Sequence, residues 1–147
     1  MKKTDLAYMA GIIDGEGCIR IGRIQSPYCK RPFDHRATIQ IGMTSQPVLL
    51  WVHHNFGGCL GVGRNESVRT KKTYQWSISA QQGTKLIKSL YKYLIEKKYQ
   101  AKLFVEFAKT IGKKRNKQNY ITDKIWNRRC VMFESMQKLN KKGPHNE

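Results

Sequence analysis

Two carboxylates stand where a helix ends. Leu6, Met9 and Ile13 recur at helical spacing, so a helix is expected over 5–14, with Thr4 or Asp5 as its cap. Asp14 and Glu16 then lie where the macrodipole is negative, which disfavours an acid by about a few tenths of a kcal/mol. The chain has only ten Asp and Glu in 147 residues, so a pair within three positions is a concentration. A divalent cation would relieve the misfit, held by carboxylate and carbonyl oxygens as Mg²⁺ prefers. Two such carboxylates brought together could hold cations that activate water for phosphodiester hydrolysis. An Asp-Gly-Glu-Gly run is also a common turn, and the residues alone leave both readings open.

The same helix carries Ala7, Gly11 and Gly15 at i, i+4 and i+8. Each glycine costs about 1 kcal/mol relative to alanine, which makes sense if another backbone approaches along that stripe. Leu6, Met9 and Ile13 suffice for the chain's own core, so the stripe calls for a second partner. The same helix of another copy would bring two Glu16 side chains to a symmetry axis. Close packing against a neighbouring strand of the same chain is the alternative.

Twenty-eight Lys and Arg against ten Asp and Glu give a formal charge of +18. Such a surface calls for a polyanion, and the spread of basic residues over the whole chain favours nucleic acid over an anionic membrane. A basic ribosomal or chromatin-type protein is the bland alternative. Val48 to Val52, the longest apolar run, is far short of the roughly 20 residues of a membrane span. With no signal-peptide pattern, an intracellular setting (cytoplasm or organelle matrix) is expected. Cys18, Cys29, Cys59 and Cys130 have no Cys-x-x-Cys spacing, so buried free thiols are expected in place of a zinc ribbon or disulfide frame.

The elements that must position these residues follow from periodicity. His35 to Thr44 alternates, with Ala37, Ile39, Ile41 and Met43 on one side and Arg36, Thr38, Gln40 and Thr44 on the other. Ile19 and Ile21 begin a partner strand, joined to it by a loop containing Ser26-Pro27 and Arg31-Pro32. Ser45 caps a helix with Pro47 in its first turn, Leu49, Val52 and Phe56 as its stripe, and Gly57 at its end. A second hairpin pairs Leu60 and Val62 with Tyr74, Trp76 and Ile78, leaving Thr73, Gln75, Ser77 and Ser79 outward. A helix from about Thr84 presents Ile87, Leu90, Tyr91 and Leu94, and another presents Phe104, Phe107, Ala108 and Ile111. The basic run Gly112 to Tyr120 connects to a last helix with Ile125, Met132, Met136 and Leu139, stopped by Gly143-Pro144. The result is one α+β domain with an antiparallel sheet: a core over 1–112, then a basic connector and C-terminal helix over 113–147. A polar, basic sheet face of this kind fits a DNA major groove, a solvated sheet face being the alternative.

Met9-Ala10-Gly11-Ile12-Ile13-Asp14-Gly15-Glu16-Gly17 resembles the signature of the LAGLIDADG homing endonucleases. The similarity extends through Phe56-Gly57-Gly58 and Lys97-Lys98-Tyr99-Gln100-Ala101-Lys102-Leu103, and Met136 to Gly143 is similar to the common C-terminal ending. The resemblance implies an αββαββα fold with a saddle-shaped antiparallel sheet plus C-terminal helices. It implies a site-specific endonuclease cutting double-stranded DNA, and the single motif implies a homodimer acting on a long pseudo-palindromic site. Glu16 matches the metal-binding acid, the carbonyl of Gly15 a further ligand, and Mg²⁺ or another divalent cation such as Mn²⁺ the cofactor. Lys97 matches the basic residue near the scissile phosphate, and Ser45 or Gln46 a water-positioning residue. Ser45 as a plain cap and Lys97 as a solvated lysine stay open, and Asp14 is expected to be structural. Arg20, Arg36, Thr38, Gln40, Gln75 and Ser77 match base-reading strand positions, with Arg64, Arg69, Lys71 and Lys72 as backbone or base contacts near the second turn. Gly42 occupies an outward position where a reading side chain is usual.

Two signals are declined. His53-His54-Asn55 lies inside a helix and lacks the second half of a His-Asn-His nuclease, and the glycines from Gly57 to Gly63 follow a helix, so they form no phosphate loop. The alternatives to cutting are an intron-splicing maturase, with its own intron RNA as partner, or a structural RNA-binding protein.

Overall fold

The structure, a computed structural model, describes residues 2–25, 31–111 and 121–141. Its elements are α1 (Lys3–Glu16), β1 (Gly17–Ile24), β2 (Asp34–Met43), α2 (Gln46–Phe56), β3 (Cys59–Arg64), β4 (Thr73–Ser79), α3 (Ala80–Leu90), α4 (Lys98–Lys109) and α5 (Asp123–Asn140), with a 3₁₀ turn at Tyr91–Tyr93. The expected α+β order of helix, hairpin, helix, hairpin and helices is the one observed. The four strands form an antiparallel sheet in the order β1-β2-β4-β3.

Strand alternation decides which face is which. Ala37, Ile39 and Ile41 of β2 and Trp76 and Ile78 of β4 are buried under the helices, while Arg36, Gly42, Gln75 and Ser79 are exposed on the other face. Met9, Ile13, Ile19, Leu90, Phe104, Phe107 and Met136 complete the core from the strands and helices around it. Each such side chain contributes about 1.5–3 kcal/mol on leaving water. Gly83 lies inside α3 because an added Cβ would come within 2.8 Å of the Phe104 ring. At the α2–β3 turn, a Cβ on Gly58, whose φ is +87°, would sit 2.7 Å from the Ser77 carbonyl. The Trp76 indole donates to the Gly57 carbonyl there at 2.7 Å.

α5 is tied to the hairpin base by a buried cation. Arg129 donates to Asp34 Oδ1 (3.1 Å), Thr110 Oγ1 (2.9 Å) and the Thr110 carbonyl (2.8 Å). Asn140 Nδ2 donates to the Ile19 carbonyl on the edge strand at 2.8 Å. Beside this network His35 is buried, with neither ring nitrogen hydrogen-bonded among the described residues. Burial pushes its pKa down and the Arg23 and Arg129 charges add to that, against the opposing pull of Asp34.

Several expectations are corrected. α1 starts at Lys3 and runs on to Glu16; Asp5 is no cap but lies within the first turn, its carboxylate accepting the Lys2 N–H at 3.1 Å. α3 begins at Ala80, not Thr84, because Gly83 serves a close helix contact and does not break the helix. Tyr91 is exposed in the 3₁₀ turn, and Leu94 is buried beyond it. Val62 is 52% exposed because β3 is an edge strand. Cys18 and Cys59 are not buried but exposed, since strand alternation turns both to the outer face, and Cys130 is partly buried. α5 ends at Asn140, ahead of Gly143-Pro144. Cys29, the Gly112–Tyr120 run and Gly143-Pro144 lie outside the described residues. Among those described, no helix is long and apolar enough to cross a membrane.

Candidate active site

α1 passes into β1 without a linker. The Gly17 N–H donates to the Ile12 and Ile13 carbonyls, and a Cβ at Gly17 would sit 2.6 Å from the Ile13 oxygen, so only glycine allows so abrupt a change from helix to strand. The junction fixes Glu16 at the edge of the outer sheet face.

Asp14 is occupied within the chain. Its Oδ2 accepts the Ile95 N–H at 2.7 Å and its Oδ1 the Lys97 N–H at 3.1 Å. Lys97 is half-buried, and its ammonium donates to the Ile13 carbonyl at 2.8 Å and the Asp14 carbonyl at 2.5 Å. The negative helix end is therefore satisfied by Lys97 and two backbone N–H groups. Asp14 is thus held by backbone donors, as expected of a structural acid, and only Glu16 remains. Lys97 is no solvated lysine, because its charge is anchored one turn from Glu16.

Glu16 is exposed, and among the described residues no hydrogen bond or ion pair engages its carboxylate. The Gly15 carbonyl follows the two that Lys97 caps, in the last turn, where helical carbonyls lack helical donors. A free carboxylate next to a helix-end carbonyl is a set of hard oxygen donors that fits a divalent cation such as Mg²⁺. No cluster of three or more His, Cys, Asp or Glu that could hold a metal occurs among the described residues.

Ala7, Gly11 and Gly15 are exposed along one side of α1, and a Cβ on Gly11 or Gly15 would meet nothing within 4 Å. Among the described residues no strand packs there, contrary to the intrachain alternative. Ser45 is the residue before α2, but its side chain makes no capping bond, which leaves the hydroxyl free; Gln46 is the first helical residue, and both are exposed. Gly17 pairs with Ile41, so Gly42 lies at the level of Glu16, and Ser45 and Gln46 follow shortly after.

The outer face is ordered in rows by the strand register. Arg20 pairs with Thr38, and Cys18 pairs with Gln40, which pairs with Ser77, which pairs with Cys59. The Arg20 guanidinium donates to Thr38 Oγ1 at 3.3 Å. Arg36, Gln75 and Arg20 are exposed, while Thr38, Gln40 and Ser77 are half-buried. Arg64, Arg69, Lys71 and Lys72 are exposed around the β3–β4 turn, whose tip is pinned by backbone hydrogen bonds between Ser67 and Thr70; Lys72 lies over the Tyr74 ring at 5.4 Å. The face thus collects the candidate reading residues, with Glu16 at its rim. Cys18 and Cys59, expected to be buried, share this outer face, because the alternation that turns Arg20 outward turns Cys18 the same way. The Asp14–Ile95 link spans 81 positions and left no local signal.

Residues 9–111 match the model of the LAGLIDADG endonuclease family. Among solved structures, the homing endonuclease I-CvuI, in complex with the I-CreI target in the presence of Mg with the DNA not cleaved, superposes with a TM-score of 0.77 at 18% identity, over 99% of this chain and 87% of that one. The archaeal intron-encoded homing endonuclease I-Vdi141I, complexed with DNA, gives 0.77 at 16% identity, over 100% and 91%. I-SmaMI, bound to uncleaved DNA target with calcium ions, gives 0.71 at 21% identity over 90% of this chain, which spans only 45% of that one. No curated protein sequence is significantly similar to the chain.

Proposed function

Because the chain belongs to the LAGLIDADG endonuclease family, we propose that it is a site-specific homing endonuclease that hydrolyses both strands of a long pseudo-palindromic DNA site as a metal-dependent homodimer. The observation that carries this reading is the division of labour at the end of α1. Asp14 is consumed by backbone donors and Lys97 by backbone carbonyls, while Glu16 alone is exposed and unpaired beside an open stripe of small residues.

The chemistry follows from that arrangement. Two copies packed along Ala7, Gly11 and Gly15 would bring a pair of Glu16 carboxylates together at the axis. Glu16 and the Gly15 carbonyl would hold a divalent cation, Mg²⁺ or Mn²⁺, which when bound supplies Lewis acidity toward the phosphate and lowers the pKa of water. Lys97, anchored to α1, holds a positive charge near the scissile phosphate without needing to be ordered by substrate. Ser45 or Gln46 orients the attacking water through a side chain that no capping bond occupies. Arg20, Arg36, Thr38, Gln40, Gln75 and Ser77 face the major groove, and Arg64, Arg69, Lys71 and Lys72 meet the backbone or bases near the second turn. The DNA complexes of I-CvuI, I-Vdi141I and I-SmaMI support duplex DNA as the partner.

The test is incubation with a plasmid library in Mg²⁺ and sequencing of the ends. Wild type is expected to give double-strand breaks at one site class, and Glu16→Gln to bind that site without breaking it. Equal cutting by both proteins would remove Glu16 from the chemistry. Binding without breaks by the wild type, in Mg²⁺ and in Mn²⁺, would favour a non-cutting relative such as a maturase.

A further inference from the structure

On the outer face, the row at the level of Glu16 is nearly bare. Gln75 of β4 pairs with Gly42 of β2 on one side and Gly61 of β3 on the other. Gly63, across the bulge in β3, shares this face: an added Cβ there would lie 3.4 Å from the Gln75 Cβ. At Gly61 a Cβ would meet nothing within 4 Å, and at Gly42 its nearest neighbour would be the Tyr74 carbonyl at 4.0 Å, so neither glycine is required by packing. Neither has a positive φ, so conformation does not require them either. Directly opposed Cβ atoms in a filled row are about 4.5–5.5 Å apart and their side chains touch. Here Gln75 has no such neighbour, and no hydrogen bond among the described residues engages its carboxamide.

We infer that Gln75 is the sole base reader at its level of each half-site and specifies adenine. This rests on the reading of the outer face as a DNA-binding surface. The bare glycines let the β2 and β3 backbones approach the groove floor, so that a single two-carbon side chain reaches the base edges. A carboxamide with both its donor and its acceptor free matches the adenine N6 and N7 pair, whereas guanine offers two acceptors there. Arg36, six residues from Gly42 along β2, lies about 20 Å away at a strand rise of ~3.4 Å. It therefore reads roughly six base pairs further from the cut, at a base spacing of ~3.4 Å.

The test is selection of bound duplexes from a randomised pool by the full chain, for wild type, Gln75→Ala and Gln75→Arg. Gln75 is exposed, so both variants should fold. Wild type is expected to select adenine at one position in each half-site. Gln75→Ala should lose that preference, with discrimination there falling on the order of tenfold. Gln75→Arg should convert it to guanine, with every other position unchanged. If wild type selects a defined site and Gln75→Arg selects the same one, or changes scatter over many positions, the inference is overturned while the DNA-binding reading stands. If wild type selects no sequence at all, that reading fails and this inference with it.

Discussion

Lys97→Met separates a structural charge from a catalytic one. The substitution keeps an unbranched chain of similar length and removes both ammonium bonds to α1 at 2.8 and 2.5 Å. Hydrogen bonds involving a charged group contribute about 1.5–3 kcal/mol each. A cation at a helix C-terminus is worth ~0.3–1 kcal/mol when exposed and up to ~2 when partly buried. The two accountings describe the same contact and are not added. Lys97 is half-buried, so solvent screening lowers the figure, and the net loss should be about 2 kcal/mol. For a domain of this size that corresponds to a fall of roughly 4–8 °C in Tm. Urea unfolding without DNA or metal reads this directly, and Lys97→Arg should recover part of it. Glu16→Gln, which relieves an unpaired acid at the same helix end, should leave the midpoint unchanged or slightly raised. If Lys97→Met unfolds at the wild-type urea concentration, the ammonium does not cap α1, and the anchoring assigned to it near the phosphate is wrong.

Gly11→Leu should convert dimer to monomer in sedimentation while leaving monomer folding within about 0.5 kcal/mol, since a side chain there enters open space; an unchanged dimer would refute the stripe as the interface. Gly17→Ala should destabilise by ~1–3 kcal/mol, because its Cβ would sit 2.6 Å from the Ile13 oxygen, and a wild-type melting curve would contradict the tight helix–strand junction. His35 has a lowered pKa in the fold, so as pH falls through the ordinary histidine value of about 6.5 the unfolded chain takes up the proton first. Stability should therefore decline from there down to the folded pKa, and His35→Phe should flatten that slope; an identical pH profile would show that His35 is not the group responsible.

The placement of the candidate site residues was legible because local spacing governs it. The LAGLIDADG-like run set Glu16 at a helix end, and alternation in β2 and β4 separated the outer polar row from the core; both periods are geometric properties of the backbone. Cys18 and Cys59 lie on that same alternation yet were expected to be buried, and α3 starts at Ala80, ahead of the expected Thr84, through a contact of Gly83 with Phe104 that is distant in sequence.

What only the tertiary structure decided is the charge balance at the end of α1. The sequence shows two acids separated by one glycine, and electrostatics alone treats them alike. Folding brings the Ile95 and Lys97 amides to Asp14 and the Lys97 ammonium to the carbonyls around it. Glu16 is left exposed and unpaired. Local sequence sets where a helix ends, but which donors reach that end depends on chain closure over some eighty residues, and no short-range pattern encodes it.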